Sequence, residues 1–426
     1  MSGVLPSASQ AAAPAPRPAL DVAMVAYSDY ERDNRVMRVA RALAERGDRV
    51  QVLALRTEPG LPARQMIDGV LLHRIQDRLH KEEGGALAAL APLLRFTLAA
   101  ARQLARAQAQ LPGGAFDLVH VHNVPDFLVL AAWPAKLRGA RLILDLHDLV
   151  PEFYASRFGA RAASPLVAAL RLCERASAAL ADHVIVSNHL WCRKVAARSA
   201  APQKCSVMIN HVDERVFRMR PRQRVFGEGG PLIVFPGGMQ AHQGLEVALQ
   251  AFALLHRERP DARLHLYGDG PQRPALQALA RELGLDGSVR FFPPRPLRDI
   301  ADIMAQADLG IVPKLASGFG NEAYSTKIME FMALGVPLVV SRTRIDRHYF
   351  DDSMVRFFDS GDAPSMARAM HEVLHDEALR TRLVEGGLAC ASGQRWGMHR
   401  PRYLALVDGL VSSRREAPRR WAEAGR

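Results

Sequence analysis

From Asp21 onward, short apolar runs alternate with longer stretches whose apolar residues recur at helical spacing. The first run, DVAMVAY, is apolar throughout, as a strand covered on both faces must be. NRVMRVARALAERG follows, with Val36, Val39, Ala40 and Leu43 on one helical face and Gly47 as the stop. RVQVLAL reads as a second strand. The alternation continues through VLLHRI, an Ala/Leu/Arg helix near Gly85–Leu111, DLVHVH, RLILDL, DHVIVS and CSVMI. It breaks at RQRVFGEGG and restarts with PLIVFP, ARLHLY, SVRFF, DLGIVP, VPLVVS and VRFF. This pattern predicts an α/β fold of two Rossmann-like halves, each a doubly wound parallel sheet. The expected division is a disordered Ser/Ala/Pro tail over 1–20, a first domain over 21–213 and a linker over 214–230. A second domain over 231–395 and a C-terminal helix with a basic tail over 396–426 complete it. Ligands of such sheets bind at the carboxyl ends of the strands, so the expected site is the cleft between the halves.

Composition narrows the class. The 426 residues are 49% hydrophobic and 23% charged, enough apolar material for two cores. No uncharged apolar run reaches the roughly 18–20 residues of a spanning helix. The first residues lack the charged start and continuous apolar core of a secretory signal. Cys173, Cys192, Cys205 and Cys390 show no C-x-x-C spacing and read as reduced packing residues of a cytoplasmic protein. Lys+Arg minus Asp+Glu is 56 − 44 = +12. Such an excess suits phosphates, an anionic membrane surface or nucleic acid. Nucleic acid is the weakest of these, because the arginines are scattered with few interleaved aromatics. High Ala and Arg with little Lys fits a GC-rich bacterial coding sequence.

The strongest chemical signal is GFGNEAYSTKIMEFMALGVPLVVS, Gly318–Ser341. Ser325, Thr326 and Lys327 open an apolar helix that Gly335 and Pro337 close. A Ser or Thr there caps free amides, and the helix dipole with Lys327 makes an anion site suited to a nucleotide diphosphate. Glu322 precedes the helix, where it can accept hydrogen bonds from sugar hydroxyls; Glu330, two turns in, can accept them from a ribose. An exposed acidic loop and an ordinary helix is the plain alternative.

This segment resembles the E-x7-E region of the retaining glycosyltransferases of family 4, which have the two-domain GT-B fold. Tyr267–Phe292, with Gly268 in its glycine turn, resembles the family's turn and following helix–strand. Cys205–Phe217 resembles its Asn-Gly-Val-Asp hinge, with His211 in place of the usual Gly. FDLVHVHN and DLHDLVPEF resemble two post-strand loops of the first domain. The likeness runs from Asp21 to about Leu410. It implies a nucleotide-diphosphate-sugar donor, Glu322 on the transferred sugar, Glu330 on the ribose, and His147 near the reacting centre. Retention in the family is explained by front-face attack, the leaving phosphate helping to deprotonate the acceptor. A packing role for His147 stays open. The likeness further implies polysaccharide biosynthesis, with a hexose-type sugar moved to a glycan or lipid-linked acceptor.

One departure stands out. Where the family often has an Arg and a Lys-Gly pair gripping the diphosphate, Phe235–Leu249 reads FPGGMQAHQGLEVAL, with Gln243 before Gly244. Each missing charged hydrogen bond contributes about 1.5–3 kcal/mol. Lys327, the helix start and the amides of Gly237 and Gly238 are then expected to hold the phosphates. A catalytically weakened member and a nucleotide-sugar epimerase of the same fold are the alternatives. On the acceptor side, Arg32 and Arg35 follow the first strand and suit a phosphate-bearing acceptor, or simply form a solvated helix start. His120 and His122 are read as facing opposite ways, with His122 toward the cleft and His120 structural. Arg78–Leu111, with Arg95, Arg102 and Arg106, reads first as a cover helix and second as a peripheral contact with an anionic inner membrane surface. No D-x-D, H-E-x-x-H or C-x-x-C occurs, so neither a metal nor a cofactor is expected. Trp396 and Tyr403 lie on the stretch that returns across the hinge in relatives.

Overall fold

The structure, a computed structural model, describes residues 18–78, 86–157 and 164–423, with side chains for all of these except 86–89 and 413–423. Most of the expected tail, the start of the Arg78–Leu111 segment and the basic C-terminal side chains lie outside the described residues. Leu20, assigned to the tail from sequence, is fully buried, and its N–H donates to Asp48 Oδ1 at 3.0 Å.

The first half runs β1 (Asp21–Ala26), α1 (Asn34–Glu45), β2 (Arg49–Arg56), β3 (Arg64–Ile67), β4 (Val70–Asp77), α2 (Ala86–Ala109) and β5 (Leu118–His122). It continues with α3 (Trp133–Leu137), β6 (Arg141–Leu146), α4 (Val150–Arg157), α5 (Pro165–Leu180), β7 (His183–Val186), α6 (His189–Arg198) and β8 (Cys205–Val207). The second half has β9 (Leu232–Pro236), α7 (Leu245–Glu258), β10 (Arg263–Tyr267), α8 (Arg273–Glu282), β11 (Val289–Phe292), α9 (Leu297–Ala305) and β12 (Leu309–Val312). Then come α10 (Thr326–Ala333), β13 (Leu338–Ser341), α11 (Asp346–Tyr349), β14 (Arg356–Phe358), α12 (Ala363–His375), α13 (Glu377–Gly393) and α14 (Trp396–Glu423).

The strands form two sheets. One has the order β3-β4-β2-β1-β5-β6-β7-β8, parallel except for β3; the other is β11-β10-β9-β12-β13-β14, parallel throughout. The apolar runs are strands buried on both faces, as in β1, where all six residues are buried. Strand order reverses between β1 and β5 in the first sheet and between β9 and β12 in the second. Loops part to either side at such a switch point and leave a crevice. The GT-B expectation is met: two Rossmann-like sheets whose switch-point loops lie at one cleft.

The backbone crosses between the halves twice. It leaves the first sheet after β8 and returns at Gln394–Trp396. There Val212 donates its N–H to Gln394 O at 3.1 Å and accepts from Trp396 N–H at 2.8 Å. His211 beside it stacks on His399, with ring centroids 3.7 Å apart. Asp68 is the one non-glycine with positive φ among the described residues, so position 211 needs no glycine. After the return, α14 lies on the first sheet. Its Tyr403, Val407 and Val411 pack into the core beside Val22, Ile143 and Ile185. Between the crossings, Arg222 and Arg224 of the 214–230 stretch both pair with the buried Asp308, which ties that stretch to the second half.

Val407 is fully buried at the far end of this strap. Val407→Ala is expected to cost about 2 kcal/mol. Chemical denaturation followed by a probe in the first half would register it as a lower midpoint.

Candidate active site

Four segments meet at the cleft: the loop after β1, the loop after β6, the hinge, and the start of α10. They enclose about 400 Å³, with Arg32, Arg35, His147, Asn210, Thr326 and Glu330 among the lining residues.

The wall on the first half is built around Asp145, the fifth residue of β6 and fully buried. Arg35 of α1 grips both its oxygens, Nε to Oδ2 at 2.8 Å and Nη2 to Oδ1 at 2.7 Å. Its remaining nitrogen donates to Met208 O at 2.7 Å and Asn210 Oδ1 at 3.0 Å, both in the hinge. His122 Nδ1 and His147 Nε2 each lie 3.3 Å from Asp145 Oδ2 and 3.1 Å from one another. Burial pushes the Asp145 carboxyl upward, but the Arg35 guanidinium and the surrounding histidines outweigh it and hold the group well below the usual carboxylate range. His147 itself is oriented from three sides: its N–H donates to Asn123 Oδ1 at 2.7 Å, its carbonyl accepts from Ser187 Oγ at 2.7 Å, and its ring rests on the Asp145–His122 pair.

Three sequence expectations need correction here. His120 and His122 do not face opposite ways: alternation separates neighbours, so residues two apart share a face. Their rings stack with centroids 4.1 Å apart, and His120 Nδ1 reaches the Tyr403 hydroxyl of α14 at 3.0 Å. His122 is not a cleft residue either. It is buried behind His147, and burial with the neighbouring His120 pushes its imidazole down to about 3, so it stays neutral. Arg35 offers no free charge to an acceptor, because its fork is spent on Asp145. Arg32 keeps its exposed position at the cleft, though it pairs with Glu58.

His120, His122 and Asp145 come close enough to surround one cation. The Arg35 fork already claims both carboxylate oxygens, so an ion there would face a guanidinium. The residues present do not fit a metal.

On the second half, α10 opens toward the cleft. Ser325 sits at its N-cap but makes no side-chain cap, contrary to the sequence expectation. Its Oγ is buried without a partner, and the first-turn amides are left without that cap. Lys327 folds back over the loop after β9, its ammonium donating to Gln243 Oε1 at 3.2 Å and lying 5.2 Å from the Phe235 ring. A Cβ at Gly237 would come within 2.4 Å of Lys327 Cε, so only glycine there leaves room for this side chain. Gly268 is fixed similarly, since a Cβ would meet Gly237 O at 1.9 Å. Burial pushes the Lys327 ammonium down to about 8, against the pull of Glu330. Glu330 is itself pushed up by burial, with Lys327 opposing.

Glu322 is not brought together with His147 and Glu330. Its carboxylate is held by Lys194 of α6 and by Arg344 at 3.3 Å, and it borders a neighbouring cavity of about 360 Å³ with Pro151, Arg171 and Gly318. Asn188, which caps α6, also donates to Glu322 O at 3.1 Å, so this loop joins the halves. Sequence reasoning missed Lys194 and Asp145. It also missed Lys314, buried after β12 and bound to Asp346 and to Ala323 O, which pins the Glu322 loop from below. Lys314 directly follows the run DLGIVP, and a lysine immediately after an apolar strand was the available signal.

Arg35→Met leaves Asp145 buried and uncompensated, which is expected to cost about 3–5 kcal/mol. Adding Asp145→Asn should recover much of this in a double-mutant cycle. In the parent, the folded Asp145 carboxyl titrates below its unfolded value. The pair's contribution is therefore complete above the ordinary carboxylate range and is lost as pH falls through the depressed folded value. Denaturation curves at stepped acidic pH should show that slope vanish in the double variant.

Two family models match the chain in succession: "Glycosyl transferase 4-like domain" over residues 33–211 and "Glycosyl transferases group 1" over 218–388. A D-inositol 3-phosphate glycosyltransferase from Thermobispora bispora is 28% identical, over 85% of each chain. Among solved structures, sucrose-phosphate synthase from Thermosynechococcus elongatus superposes with a TM-score of 0.74 at 17% identity, covering 92% of this chain and 99% of that one. Anabaena HepE in complex with UDP-glucose gives 0.67 at 16% identity, covering 92% and 100%. With both halves matched in order and two parallel sheets meeting at one cleft, the chain belongs to the family 4-type glycosyltransferases of GT-B fold and is a transferase enzyme.

Proposed function

We propose that this glycosyltransferase moves a hexose-type sugar, with retention, from a nucleotide-diphosphate sugar to a glycan or lipid-linked acceptor. The observation that carries the donor assignment is Lys327. A half-buried ammonium bonded to a neutral amide, beside a helix start whose Ser325 hydroxyl is unpartnered, has no carboxylate bonded to it, and Glu330 acts on it only at a distance. A diphosphate supplies that charge, and the helix amides supply donors. Gly237 and Gly238 give backbone room at the same place. Gln243 stands in for the missing cation by holding Lys327 at 3.2 Å, so one lysine with a placed amide does the work of a cationic pair.

Glu330 then accepts from the ribose. Glu322 accepts from the donor sugar. Lys194 and Arg344 bind its carboxyl oxygens, and a carboxylate has about four lone-pair positions, so capacity remains for hydroxyls. His147, locked on the Asp145 hub, orients the acceptor while the leaving phosphate takes its proton. Arg32 at the rim suits an acceptor that carries phosphate. The T. bispora relative's name specifies an inositol phosphate, which makes D-inositol 3-phosphate a reasonable first acceptor to assay. The curated relatives are transferases, and the epimerase alternative gives way to them.

Lys327→Met should weaken nucleotide-diphosphate-sugar binding by roughly tenfold to a hundredfold, the loss of one charged hydrogen bond at about 1.5–3 kcal/mol. Calorimetry with UDP- and GDP-sugars reads this directly; unchanged affinity removes Lys327 from the site. Since only the protonated ammonium attracts phosphate, affinity should be level below about pH 8 and fall above it in the parent, and be flat across that range in Lys327→Met. Glu322→Gln should abolish acceptor-dependent nucleotide release with the fold retained, and wild-type turnover in that variant would count against the assignment.

A further inference from the structure

The hinge borders a second cavity, of about 460 Å³. Its apolar wall is built by Ile185 of β7, Val207 of β8, Ile209 of the hinge and Leu406 of α14. Its polar side carries His189, Ser206, Tyr349 and Arg402. His211 is the one lining residue this cavity shares with the cleft, and its ring stacks on His399. Tyr403, buried and bonded to His120 at 3.0 Å, closes the cavity toward the core of the first half. The donor and acceptor assignments above leave this space unused.

The polar groups around the cavity are cationic or neutral, and no carboxylate lines it. Arg402 is exposed on α14 and has no ion pair among the described residues. Arg193 of α6 is likewise exposed and without an ion pair among them. Burial, with His348, Arg193 and Arg402 acting in the same direction, pushes the His189 imidazole below its ordinary value. The ring is therefore neutral at neutral pH. The Tyr349 hydroxyl accepts from the His189 backbone N–H at 3.1 Å and lies 2.6 Å from the ring Nδ1, to which it donates. The ring's hydrogen is then on Nε2, which has no hydrogen-bond partner among the described residues. Unpaired donors of one sign beside an aliphatic wall match a ligand that joins a negative group to an apolar body. A bare inorganic anion would leave that wall wet, and a cation would be repelled.

We propose that this cavity is a second ligand site, which takes a small organic anion with an apolar body and one carboxylate or phosphate group. The body lies against Ile185, Val207, Ile209 and Leu406, and the anionic group meets Arg402 and His189. Tyr349 belongs to the second half, whereas Ile185, His189 and Val207 belong to the first. The occupant thus touches both sides of the hinge and favours the spacing of the halves in which those contacts are made. It does so without entering the cleft, and its test needs no sugar donor.

Calorimetry of the full chain with phenylbutyrate and with phenylbutyl phosphate reads the site. Saturable one-to-one binding is expected for at least one of them, and the tighter of the two identifies the head group. Phenylbutanol and phenylbutylamine carry the same body without the negative charge and should bind at least roughly tenfold more weakly. Arg402→Gln should weaken the anion by roughly tenfold or more. Ala405→Trp fills the cavity from α14 and should abolish binding. Both positions are exposed, so the melting temperature of each variant should match the parent. Lys327→Met, which removes the cation of the cleft, should bind the anion as the parent does. Absence of saturable anion binding up to about 10 mM overturns the proposal. Equal binding of the amine overturns it too, as does undiminished binding in either Arg402→Gln or Ala405→Trp. Loss of binding in Lys327→Met would place the anion in the cleft instead.

Discussion

A carboxylate sealed from solvent at the end of β6 sets the terms for the cleft. Asp145 is affordable as a charge only because Arg35 meets both its oxygens, and breaking such a pair is far costlier than never having buried it. Once fixed, the pair organises its surroundings. Arg35 also grips Met208 O and Asn210, so α1, β6 and the hinge are held by one guanidinium. The histidine that faces the cleft rests on the same carboxylate. The position of His147 is therefore a property of the first half's core as much as of its surface loop.

The second half solves the opposite problem. Its cation, Lys327, lacks a carboxylate close enough to bond and leans on an amide, a glycine and an aromatic face. Burial lowers the affinity of that ammonium for its proton, and an arriving anion raises it again. The second half thus keeps a cation free of a bonded carboxylate, where the first half pairs its charges internally. Gln243, a departure from the family pattern, belongs to this arrangement, since its side-chain oxygen positions the lysine.

Much of the architecture was legible because a parallel sheet covered on both faces writes itself as uninterrupted apolar runs, and switch-point loops follow from strand order. Positions that depend on local backbone geometry were legible too: Gly237 and Gly268 stand where a Cβ would clash, and α10 begins at Thr326 within the Ser-Thr-Lys opening, though without the expected Ser325 cap. What failed was direction. His120 and His122 were assigned to opposite faces although their spacing places them together. Arg35 reads from sequence as meeting an acceptor phosphate or solvent, although a helix residue beside two strand ends has a buried partner within reach. Glu322 was placed with Glu330, but the loop turns its carboxylate toward Lys194 on the other half. That contact joins residues 128 positions apart, and no local pattern announces it. The exposed leucines of α2 were visible, but whether they were surface or core depended on which face met the sheet.

The doubled crossing at Val212 has a mechanical meaning. A single covalent linker lets two bodies swivel freely about its axis. Two backbone segments laid side by side and stitched by amide bonds resist that rotation and leave bending as the soft degree of freedom. Any change in the width of the gap is thereby confined to bending about this seam, a constraint that keeps the α10 end and the His147 loop opposite one another.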